Sequence, residues 1–168
     1  MITDVPGELD RLADARDDYA ALRGRITERD PWPLATDFGT GPEASWGPRE
    51  VLAHLVEMLP YWLGELERVV DGDGVTPVPF GRIADDTVRI GMIARERTLP
   101  LRVLFHRLDA GISAWMARLP EVIGADRAKV GIHPRIGEMR AGEIAERFVV
   151  SHLEDHVAQL ESILSTGR

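Results

Sequence analysis

The chain has 168 residues, 44% of them hydrophobic and 29% charged, with a formal net charge of −8 and no cysteine. That length predicts a single domain, residues 1–168, with enough chain to bury its own core. The missing thiols exclude disulfides and cysteine-ligated metals, and the acidic balance argues against a nucleic-acid partner, whose phosphates are met mainly by Lys and Arg.

The opening stretch is acidic from Asp4 onward and lacks an apolar core, which predicts no secretory signal. No apolar run approaches the ~20 residues that a bilayer demands. The expectation is a cytoplasmic protein that handles a small-molecule substrate, with no membrane and no nucleic acid involved.

Leu9, Leu12, Tyr19, Leu22 and Ile26 recur every three to four positions and predict a helix from about Gly7 to Arg29. Pro31 and Pro33 stop it, and Leu34–Glu43, with Gly39, Gly41 and Pro42, reads as a loop. Pro48 and Glu50 suit the first turn of a second helix, which runs to about Val70 along Val51, Leu52, Leu55, Met58, Leu59, Trp62 and Leu66. Pro60 falls inside it, and His54 sits at the edge of its apolar stripe, flanked by Glu50 and Glu57.

Beyond Asp71-Gly72-Asp73-Gly74, the stretch from Gly81 to Arg97 predicts a short, irregular helix in a crossover. A firmer helix runs from about Thr98 to Pro120 on Leu101, Leu104, Phe105, Leu108, Ile112, Trp115 and Leu119, with His106 pointing to solvent. Val122–Ala141 reads as loop, and a last helix covers about Gly142 to Ser165. No period-two strand signal is visible, so the expected class is all-α: a four-helix bundle with a long crossover between helices 2 and 3.

His152 and His156 lie four apart and therefore stack on one helix face, whose stripe at ~100° per residue also holds Ala145, Phe148, Val149, Leu160 and Ile163. A buried imidazole needs partners for both nitrogens, and a divalent cation satisfies two rings at once. With His54 added, three neutral imidazoles around an open position form a common catalytic zinc arrangement that also suits nickel, iron or cobalt. The competing reading is histidines satisfied by protein groups in the core. Leu153 stands where the H-E-x-x-H pattern requires Glu, so that pattern fails; Asp155 precedes His156 as Glu does in the inverted motif. Glu154 faces away from the pair. His133, in the 130–138 loop, is either a fourth ligand, a pocket wall or a residue packed beside Pro134, and the role of Glu138 is open.

Trp46-Gly47-Pro48-Arg49-Glu50-Val51-Leu52-Ala53-His54-Leu55 resembles the second-helix motif of the DinB-like superfamily. Gly131-Ile132-His133-Pro134 with Gly137-Glu138-Met139, then His152-x3-His156 and Gln159-Leu160, is similar to its C-terminal motif, particularly in the YfiT-like branch. The likeness runs from about Trp46 to the end, while the N-terminal third matches little. It implies a four-helix bundle of up-down-down-up order, a homodimer, and a divalent metal, zinc or nickel, on His54, His152 and His156. Relatives of this kind include transferases that use mycothiol, bacillithiol or glutathione, and metal-dependent hydrolases.

Three functions follow. As a low-molecular-weight thiol S-transferase, the protein needs no cysteine of its own, and Arg49, Arg82 or Arg135 are candidates to anchor a carboxylate of the thiol. As a metal-dependent hydrolase it needs a general base, for which Glu57 and Asp155 are the candidates. As a non-catalytic bundle it would carry a closed site, with a fourth protein ligand.

Overall fold

Helix α1 spans Val5–Glu28 and turns Leu12, Ala15, Tyr19, Leu22 and Ile26 inward, the period-3.6 stripe visible in the sequence. These coordinates come from a computed structural model, which describes residues 5–39, 41–124 and 126–166, the side chain at 123 excepted. Residues 1–4, where the signal reading begins, and the last two residues of the family likeness lie outside the described residues.

Helix α2 covers Pro48–Val70 and runs unbroken through Pro60. Its start is fixed by Glu50, fully buried, whose carboxylate accepts from the backbone N–H of Gly47 (3.2 Å) and of Ala35 (2.9 Å). The crossover contains the short helix α3, Thr87–Glu96, capped by Asp86 through the backbone N–H of Arg89. Helix α4, Leu101–Ile123, extends one turn past the expected stop at Pro120. Proline removes one backbone donor but does not unpack the turn that follows, and Val122 stays buried in the core. Helix α5, Ala141–Ala145, passes through a π-turn at Glu146–Val150 into α6, Ser151–Thr166.

The long helices close on one another: α2 packs on α4, α4 on α1, α1 on α6, and α6 on α2, while α3 packs mainly on α2 and pairs its Glu96 with Arg107 of α4. Leu52, Leu55, Met58, Leu59, Leu104, Leu108 and Trp115 fill the space between them. The indole N–H of Trp115 donates to the Leu59 carbonyl (2.8 Å), so this core ring leaves no unmet donor.

The chain is mainly helical, as expected, but the reading of no strands is corrected. Val130–His133 (β2) and Gly137–Arg140 (β3) form an antiparallel hairpin, and Val78–Pro79 (β1) adds parallel to β2. Alternation was hidden because the inward positions of β2 are Gly131 and His133, while the apolar Ile132 faces out. Gly131 is needed there because a Cβ would stand 2.5 Å from the Phe80 ring and 2.8 Å from Val69.

His133 is accordingly packed inside this hairpin. Its Nδ1 accepts from the backbone N–H of Arg135 (3.2 Å) and Ile136 (3.3 Å), and its ring stacks on Phe148. Gly81, with φ +81°, lies against the same ring, and a Cβ there would overlap it. Gly81→Ala combines left-handed backbone strain with overpacking, and a loss of about 1–3 kcal/mol is expected in urea unfolding. An unchanged midpoint would mean that the hairpin moves aside freely.

Candidate metal centre

The ligand group is assembled from three separate places. His54 comes from the second turn of α2, where Trp46 packs edge-on against it with ring centroids 5.6 Å apart. His152 and His156 come from α6, just beyond the π-turn. Glu43 comes from a single 3₁₀ turn, Glu43–Ser45, in the segment read as loop.

The π-turn matters for aim. One extra residue in a turn rotates everything after it relative to the helix before. The buried stripe consequently runs Val149, Leu153, His156, Leu160, Leu164, with His152 at its edge. The straight-helix stripe expected from the sequence is corrected to that extent: Phe148 and Ile163 are only half-buried, and Leu153 is fully buried.

His54 Nε2 lies 2.9 Å from His152 Nε2, which lies 3.1 Å from His156 Nε2. Two donors each ~2.1 Å from one ion are ~3.0 Å apart at a right angle and ~3.4 Å apart in a tetrahedron. The observed spacing fits a shared ion at the tighter end of that range. A Glu43 oxygen completes a group of four side chains whose ligand atoms all lie within 4.8 Å of one another.

The protonation states favour a cation. Burial, followed by the neighbouring His156 and Arg89 charges, holds His54 well below the usual imidazole range. Burial and His156 bring His152 down to about 4, and burial again leads the lowering at His156. At neutral pH all three rings are therefore neutral and offer lone pairs. The His156 tautomer is set by its surroundings: Nδ1 meets Gln159 Oε1 (2.7 Å), and Gln159 Nε2 donates to the Glu43 carbonyl (2.9 Å). Nδ1 of His156 thus carries the hydrogen, and its Nε2 presents a lone pair to the group. His152 Nε2 then faces two other nitrogens with one position to offer, so neutral rings alone are left with a shared proton or opposed lone pairs. A single cation removes the conflict.

The depressed values also set a pH dependence for the protein in chelator. Unfolded imidazoles take up protons near ~6.5, while these folded ones do so only further down. The unfolded state therefore binds more protons in that interval, and stability present above pH ~6.5 is lost as pH falls toward 4. Urea midpoints measured with EDTA at pH 7 and pH 5 should show the lower value at pH 5. Equal midpoints would contradict the neutral cluster.

A cleft of about 820 Å³ opens on His152, His156 and Glu43 and is walled by Trp32, Leu34, Trp46 and Ile163. Asp155, exposed at its side, acts through its charge on both His152 and His156. Glu57, the other base candidate, is elsewhere occupied: its buried carboxylate pairs with Arg82 (2.6 Å), whose guanidinium covers the Tyr61 ring. Of the proposed carboxylate anchors, Arg49 serves Asp30 and the Leu99 carbonyl, Arg82 serves Glu57, and neither they nor Arg135 line this cleft. Glu138 is exposed on β3, opposite Ile132 in the hairpin. Glu154 and His106 are exposed as expected, Glu154 pairing with Arg11.

Glu43 was missed because a carboxylate in a Gly- and Pro-flanked loop carries no periodicity. Its only local signal is position, a short distance before the Trp46–His54 segment.

Fold and site define a mainly helical protein with a three-histidine, one-glutamate group, two members buried and two half-buried, that could hold a metal ion. No protein-family model matches the chain, and no curated protein matches it.

Proposed function

We propose that this chain is a DinB-like four-helix bundle of the YfiT type, and that it is a metal-dependent transferase acting on a low-molecular-weight thiol. The observation that carries the reading is the convergence of three neutral Nε2 atoms beside a cleft of about 820 Å³, within the size range of small-molecule sites. His54, His152 and His156 would hold the ion, with Glu43 beside them. A divalent cation there lowers the pKa of a thiol or water that reaches it.

The chain's own side chains define what enters. Asp37, Glu43 and Asp155 line the cleft, and no Lys or Arg does among the described residues. Neutral or cationic thiols are therefore accepted over those bearing carboxylates. Trp46 walls the cleft, and its indole N–H is buried without a hydrogen-bond partner among the described residues, whereas those of Trp32 and Trp115 reach carbonyls. In the transfer, the S–H bond breaks and Asp155 takes the proton. Sulfur forms a bond to an electrophilic carbon as that carbon's leaving group departs with its electron pair.

A second reading, a closed and non-catalytic metal site, is favoured by one observation: Glu43 supplies a fourth donor. The test is zinc- or nickel-loaded protein with 1-chloro-2,4-dinitrobenzene and, in turn, cysteamine, 2-mercaptoethanol, 3-mercaptopropionate, mycothiol, bacillithiol and glutathione. Metal-dependent consumption, faster with cysteamine than with mercaptopropionate, is expected. No consumption of any thiol overturns the transferase, and turnover of a simple ester in its place turns the assignment to the hydrolase.

A further inference from the structure

Glu43 stands between two partners, and which of them holds it decides whether the site is open or closed. Its carboxylate pairs with Arg89 Nη2, yet one of its oxygens also lies within 4.8 Å of a ring nitrogen of each histidine. The two partners differ in freedom. Arg89 is 6% exposed, its Nη1 donates to the Ala84 carbonyl (2.8 Å), and its backbone N–H is taken by the Asp86 cap (2.8 Å). Its guanidinium also sits 5.6 Å from the Trp46 ring. The Glu43 backbone is held as well, by Gln159 at the carbonyl (2.9 Å). What remains adjustable is the Glu43 side chain, whose position is then set by the fixed arginine.

Arg89 touches one of the histidines too. Its Nη2 lies 3.4 Å from His54 Nδ1, at the outer limit of a hydrogen bond. A ring that gives Nε2 to a cation carries its hydrogen on Nδ1, where it cannot accept from Arg89. Metal binding thus leaves Glu43 as the arginine's natural acceptor at this spot.

We propose that Arg89 is a positioning residue that holds Glu43 back from the cation, keeping one coordination position free for an incoming ligand. The inference rests on the metal-site reading above. It accounts for a fourth donor in a site that also faces a cleft: the donor is present, and a buried cation restrains it. Releasing Glu43 closes the site.

The test uses Co(II), whose visible absorption reports its donors, with azide as the probe for the free position. Wild type, E43Q, R89M and the double variant are compared. E43Q alone should change Co(II) affinity less than about threefold and leave the spectrum unaltered. R89M should bind Co(II) at least tenfold tighter, with altered bands and weakened azide binding. Adding E43Q to R89M should cancel all three changes. Glu43 is already a ligand, and the proposal is wrong, if E43Q alone costs tenfold in affinity and alters the spectrum. The proposal also fails if the R89M gain survives in the double variant, because Arg89 then acts by charge alone. Should R89M not fold, R89K, which keeps the charge but loses the fork, must show the same dependence on Glu43. Failure of the wild type to bind Co(II) removes the metal site itself, a result distinct from either of these.

Discussion

His152→Ala is expected to strip the protein of its divalent ion. His152 Nε2 is the nitrogen close to both of the others, 2.9 Å from that of His54 and 3.1 Å from that of His156. Its removal leaves two imidazoles and a carboxylate already engaged by Arg89. Loss of an outer hydrogen-bond partner of a ligand weakens metal binding roughly 10- to 100-fold, so loss of the ligand itself should cost at least about 100-fold. Elemental analysis of purified protein should fall from near stoichiometric zinc or nickel to trace, while exposed His106→Ala, a matched control, keeps its metal. The helices should persist, because His152 lies at the edge of the buried stripe. Full metal content in His152→Ala would end the three-histidine assignment.

Arg97→Met is expected to produce the largest loss of stability. Glu50 is fully buried, and its carboxylate has three donors: Arg97 Nη1 (2.9 Å), Ala35 N–H and Gly47 N–H. Arg97 also donates to the Ala35 carbonyl (3.1 Å) and lies over the Phe38 ring. Removing the guanidinium leaves a carboxylate in the interior with its countercharge gone, which costs about 3–5 kcal/mol in comparable buried pairs. The same carboxylate ties the 31–47 segment to the start of α2, so the change also loosens the stretch that carries Glu43 and Trp46. Urea unfolding should show the midpoint falling at nearly constant slope. Glu50→Gln, which removes the buried charge but keeps the shape, should cost less than Arg97→Met. A loss under 1 kcal/mol for Arg97→Met would show that water reaches the pair.

The helices were legible because each is written in its own neighbours. The stripes of α1, α2 and α4 repeat every three to four residues over more than twenty positions, and burial follows them closely. The hairpin was not legible, since four-residue strands with Gly131 and His133 inward offer no apolar alternation to detect. Nor was the π-turn, which changes a helix's phase without a Pro or Gly to announce it. For Glu57 the sequence placed the residue correctly, flanking the His54 edge, but gave no sign that Arg82 would neutralise it from the crossover.

Composition and local spacing determined a mainly helical chain with no cysteine of its own, and spacing singled out His54, His152 and His156 as ring nitrogens set against apolar stripes. Only the tertiary structure decided that residues 98 positions apart would bring two Nε2 atoms to 2.9 Å. It alone added Glu43, paired with Arg89, and paired Glu57 with Arg82. The physical reason is range: helix periodicity comes from contacts within four residues, whereas ligand convergence and charge pairing depend on how whole helices and loops pack, and no short stretch of sequence contains that information.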